Sequence, residues 1–107
     1  MEGKFVISTT EYINGKLPKK TLGIVRGNTI RARWFGRDIA AGFKNIFGGE
    51  IKSYTKLLND AREEAVKRMN ENARKMGGNA VVNVRFTTSD VMQGAAEILA
   101  YGTAVIV

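Results

Sequence analysis

Apolar positions recur along this chain at two different periods, and the change from one to the other organises it. Over residues 55–76, Leu58, Ala61, Ala65, Met69, Ala73 and Met76 follow at steps of three and four, which puts them on one face of a helix. Lys56, Asp60, Glu63, Lys67, Arg74 and Lys75 fall mostly on the other face. Gly77-Gly78 supplies a left-handed stop, and Arg74 and Lys75 occupy the last turn, where the helix dipole favours cations. Ala80-Val81-Val82-Asn83-Val84-Arg85-Phe86 then reads as a strand.

Upstream, residues 5–10 read as a strand, Asn14-Gly15 as a tight turn, and residues 21–26 as a second strand. Gly27-Asn28 permits a hairpin turn or a bulge. The bulge is preferred, because residues 29–33 can extend the same strand. Phe35, Ile39, Phe43 and Ile46/Phe47 predict a short helix over residues 33–47, with Asp38 near its start and Gly48-Gly49 as its stop. Residues 50–54 link it to the long helix, with Ser53 or Thr55 as the N-cap. After residue 86, Thr88-Ser89-Asp90 and Gln93-Gly94 mark a turn, and residues 95–107 form a terminal strand.

The expected fold is therefore α+β, with four strands and two helices, one short and one long, in β-β-α-α-β-β order over a single domain, residues 1–107. Both faces of the terminal strand are largely apolar: Ala96, Ile98, Ala100, Gly102, Ala104 and Ile106 on one, Glu97, Leu99, Tyr101, Thr103, Val105 and Val107 on the other. Two helices cover one face of such a sheet. Another subunit is the simplest cover for the second, so a homo-oligomer is expected, with Ile98, Tyr101 and Val105 near its interface.

Composition narrows the function. The chain has 107 residues, 44% hydrophobic, with twelve Gly and one Pro, which excludes disorder. Cysteine is absent, which fits a reducing cytoplasm, and neither a signal peptide nor a bilayer-spanning segment is expected. The net charge is +7 and uneven. Residues 1–54 carry ten basic against four acidic side chains, a net +6; residues 55–107 carry seven against six. A basic front half raises weak binding of nucleic acid or another polyanion, through Arg26, Arg31, Arg33 and Arg37 with Trp34, Phe35 and Phe43 nearby. No recognised nucleic-acid signature supports it, and nucleic acid is not the expected partner. A basic amphipathic helix over residues 33–47 at a membrane surface is a further alternative to its burial.

Catalysis is poorly supplied. Without His or Cys, the usual general base and the best nucleophile are missing, and no phosphate-loop or dinucleotide spacing is present. Neither an enzyme activity nor a cofactor is expected. The polar residues that stand out lie inside apolar strands. Asn83 and Arg85 share a face away from the core, and Glu97 and Tyr101 share a face of the terminal strand. In a hairpin, Arg85 could pair with Glu97 across it as a structural ion pair; alternatively, these residues form an anion-binding patch with Arg37 and Asn45.

Four separated segments carry a family resemblance. Thr9-Thr10 with Leu22-Gly23-Ile24-Val25-Arg26-Gly27, then Gly36-Arg37-Asp38-Ile39-Ala40-Ala41-Gly42-Phe43-Lys44-Asn45-Ile46-Phe47-Gly48-Gly49-Glu50, then Gly78-Asn79 with the 80–86 strand, and Ala100-Tyr101-Gly102-Thr103-Ala104-Val105 resemble motifs of the YbjQ-type family of small bacterial and archaeal proteins. The resemblance covers nearly the whole chain in order. It implies a mostly antiparallel sheet, assembly as a homopentameric ring, no established activity, and a family label of heavy-metal binding. Soft metals want Cys or His, which this chain lacks. Met69 and Met76 lie seven apart on the core face and read as core filler. No metal-ligand set is expected within the chain. The expected function is the holding of a small ligand or anion between subunits, with metal-ion binding, as the family label has it, as an alternative. The partner expected is the chain itself.

Overall fold

A computed structural model describes residues 5–31, 48–92 and 95–107. Five elements follow in order: β1 (Val6–Ile7), β2 (Lys20–Arg31), α1 (Gly48–Lys75), β3 (Ala80–Met92) and β4 (Ala95–Ile106). The strands form one sheet in the order β1-β3-β4-β2. β4 pairs antiparallel with both β2 and β3, while β1 runs parallel to β3, so the sheet is mixed. Among the described residues one helix separates β2 from β3, which differs from the expected β-β-α-α-β-β order. The expected short helix lies outside the described residues, as do Arg37 and Asn45.

The long helix starts earlier than its first polar cap suggests. Gly48-Gly49 and residues 50–54 belong to α1 rather than to a stop and a linker. Ile51, Tyr54 and Leu58 continue the three-and-four spacing backwards, so the glycines fall at the helix start, where they are tolerated. The C-terminal stop is where the sequence places it. Gly77 has φ +93° and its N–H donates to Arg74 O, while the Gly78 N–H donates to Ala73 O, both at 2.9 Å. That pair of bonds satisfies two carbonyls of the last turn. Arg74 also lies over the Phe5 ring, 4.6 Å from its centre, a contact that ties the helix end to the chain start.

The core lies between α1 and one sheet face. Ala61, Ala65, Met69 and Ala73 are fully buried there, against Val25, Val81, Val84, Ile98, Ala100 and Ala104. Alanines bring the helix backbone close to the sheet, and Gly27 makes the approach possible: a Cβ at that position would collide with Met69 N and Ala65 O. Burial of Met69 and Val81 stabilises the fold by roughly 1.5–3 kcal/mol each. Gly27 is thus a contact glycine inside a continuous strand. Its register runs through Gly27↔Ala100 and Asn28↔Leu99 without a shift, and the expected bulge instead sits between Thr21 and Gly23.

A second, smaller cluster occupies one end of the opposite face, where Ile13 and Val6 pack on Ala80, Val82 and Val105. Asn14 and Gly15, both at positive φ, close the tight turn that holds Ile13 there through its paired backbone bonds to Lys16. The expected turn at residues 88–90 is absent. β3 continues through them, with Thr88↔Ile98 and Ser89↔Glu97 paired to β4.

Candidate ligand-binding face

The described residues cover the sheet face away from α1 only in part. Residues 5–16 close the end around Val105, while on the rest of the face large apolar side chains stand in the open. Ile24 is 79% exposed, Ile30 56% and Tyr101 38%. The pairing register places these residues in rows. Arg26 pairs with Tyr101, and Tyr101 pairs with Arg85 on the other side, so the three form one row across β2, β4 and β3. All three are exposed. Adjacent strands lie about 4.8 Å apart, which sets the two arginine Cα atoms roughly 10 Å apart.

A bulge builds the β3 end of this row. The register shifts between Val82 and Arg85, and Asn83 takes the left-handed conformation at φ +54°. The N–H groups of Asn83 and Val84 donate to Thr10 O and Ser8 O, which lays the chain start along β3. Arg85 Nη1 then donates to Thr9 O and to its neighbour Val84 O, each at 2.9 Å. The guanidinium is thereby anchored at one corner, leaving Nε and Nη2 without partners among the described residues. Arg26 has no side-chain partner among them at all. Their two ion pairs, Lys56–Asp60 and Glu64–Arg68, both lie on α1.

Of the residues expected from sequence, the fold brings Arg85 and Tyr101 side by side, with exposed Asn83 at the adjoining bulge. It separates Glu97. The bulge and register put Glu97 opposite Ser89, four residues along β4 from Tyr101, and its Oε2 accepts from Asn28 Nδ2 at 2.8 Å. The expected Arg85–Glu97 pair is not formed. Ile98 and Val105, expected near an interface, are buried within the chain itself: Ile98 under α1, and Val105 under residues 5–16. Only Tyr101 of that expected trio is open. Arg26 joins the row without having been selected beside Tyr101, because strand register between positions 75 residues apart carries no local signal in the sequence.

The helix also closes the outer edge of the sheet. Asn72 Nδ2 donates to Arg26 O and Arg68 Nη1 to Asn28 O, so two outward carbonyls of the edge strand β2 are capped from α1. No helix among the described residues is long and apolar enough to cross a membrane.

The family model described as "Putative heavy-metal-binding" (YbjQ_1) matches residues 5–107. The UPF0145 protein of Archaeoglobus fulgidus is 58% identical over 105 residues, covering 98% of this chain and 97% of that protein. Its counterpart in Hahella chejuensis is 59% identical over 101 residues, covering 94% and 97%, and the one in Methanosarcina acetivorans 59% over 100 residues, covering 94% of each. A crystal structure of a Pediococcus pentosaceus protein of unknown function, of the DUF74 family, superposes with a TM-score of 0.63 at 16% identity, covering 99% of both chains. That likeness extends to the fold.

The metal in the family description does not fit the donors present. Thiolate and imidazole are missing from the whole sequence, and among the described residues no three carboxylates gather into a ligand set. Carboxylates on α1 such as Asp60 and Glu64 are instead engaged with Lys56 and Arg68 at i,i+4 spacing. By full-length model match and by relatives near 58% identity, the chain belongs to the YbjQ/UPF0145 family.

Proposed function

We propose that this protein is a non-enzymatic homo-oligomer, one domain over residues 1–107, that works in the cytoplasm and holds a small ligand or anion in grooves between its subunits. The observation that carries this reading is the open sheet face: Ile24 at 79% exposure and Ile30 at 56% share it with Tyr101, without cover from the described residues. A second copy would remove that apolar surface from water at roughly 25 cal/mol per Å². The family resemblance supports five copies in a ring, in which each subunit offers two different surfaces and the contact closes by rotation.

The ligand site in this reading centres on Arg85, Tyr101 and Asn83, with Glu97 at the far end of the face and Arg37 and Asn45 as further contributors. Native mass spectrometry of protein taken gently from its own cytoplasm tests it. The expected result is an assembly heavier than a whole number of chains by the mass of a retained small molecule. An assembly with no added mass, unchanged across gentle conditions, would count against the ligand and leave a scaffold.

A further inference from the structure

The row Arg26–Tyr101–Arg85 is unusual in what it leaves unsatisfied. Two guanidinium groups flank one phenol across three strands, and no carboxylate among the described residues pairs with either. Glu97, an acid of β4 on that face, is engaged with Asn28. Arg85 is held in place by Thr9 O and Val84 O, so part of the ordering an anion would otherwise impose is already present.

We propose that Arg26, Tyr101 and Arg85 form a receptor for the phosphate group of a small phosphorylated molecule. The proposal rests on the reading that the open face holds the ligand, and it names the ligand's class. A carboxylate has two coplanar oxygens, and one guanidinium fork satisfies both. A phosphate monoester carries about −1.5 to −2 charge and three terminal oxygens, so it takes two forks at once, with the phenol hydroxyl as a third donor. The row is also bounded. On β2 the outward positions either side of Arg26 are Ile24 and Asn28, so no stripe of cations continues along the strand. A nucleic-acid backbone needs such a stripe, whereas a single phosphate does not.

Calorimetric titration of the full chain with phenyl phosphate, and with benzoate as its carboxylate twin, at constant ionic strength tests this. Saturable binding of phenyl phosphate is expected, with benzoate weaker by about tenfold, the loss of one charged hydrogen bond. Arg26→Gln and Arg85→Lys are each expected to weaken phenyl phosphate by about tenfold or more, while Lys56→Gln on the helix surface leaves it unchanged. Arg26 makes no internal side-chain bond to the described residues, so its variant stays informative if Arg85→Lys loosens the fold. Equal loss on Lys56→Gln would mean diffuse charge and overturn the proposal. So would retention on phosphatidate vesicles or a DNA duplex without saturable phenyl phosphate binding. Loss of assembly in Arg26→Gln with no phosphate binding in the parent would make the row an inter-subunit ion pair, which overturns the phosphate site and leaves the oligomer standing. A monomer in light scattering sinks the oligomer instead.

Discussion

β4 presents two faces that solve opposite problems. Toward α1 it offers Ile98, Ala100 and Ala104, all buried, and its neighbour β2 offers Gly27 beneath the helix backbone. Away from α1 it offers Leu99, Tyr101 and Thr103, with Ile24, Ile30, Arg26 and Arg85 around them on the flanking strands. The first face is complete within one chain, because small residues let the helix close on it. The second carries larger side chains and two cations that no described residue covers. Stability is therefore expected to depend on the first face, and assembly and binding on the second.

The sharpest way to break the distinction is at Gly27. Valine there meets the helix backbone at Met69 and Ala65, which cannot yield as a side chain would. Gly27→Val is expected to lose more than about 3 kcal/mol, read as loss of the cooperative thermal transition. If it folds normally, α1 does not lie on β2 as described. Ile24→Asp probes the other face. The circular dichroism spectrum should keep its form, while the assembly weakens by about 3 kcal/mol, roughly a hundredfold, as a charge enters the contact. Unfolding without a change of mass would mean that Ile24 belongs to the subunit's own core.

Two smaller effects sharpen the picture. Asn83 holds the left-handed bulge that aims Arg85, a conformation costly to β-branched residues. Asn83→Val should lower stability by about 1–2 kcal/mol in chemical denaturation, while Asn83→Gly stays near the parent. Equal losses from both would point to the Asn side chain rather than its backbone. Lys56 and Asp60 form an exposed pair on α1, and Lys56→Gln should change the denaturation midpoint by less than about 0.5 kcal/mol.

The helix-covered face was readable because its signals are local. Alanines and Met69 at steps of three and four, and a Gly77-Gly78 stop, declare the stripe within one stretch of sequence. The uncovered face was readable as a shortage of cover but not as a map. Ile98 and Tyr101 were both expected at an interface although they sit on opposite faces of β4, since apolar character alone does not say which side the helix takes. The bulge at Asn83 shifts the pairing, so Arg85 meets Tyr101 rather than approaching Glu97. The parallel pairing of β1 with β3 joins positions more than seventy residues apart, and it too depends on tertiary packing rather than on any nearby pattern. Gly27 could be seen as a glycine in a strand, while its reason lies on the helix above it.

That the open face is covered by other copies of the chain is tested most directly by light scattering on a sizing column at micromolar concentration. The mass expected is five times the 11.8 kDa chain. A dimer or hexamer would contradict the ring of five and keep the face covered, and a single chain of 11.8 kDa would contradict the account itself.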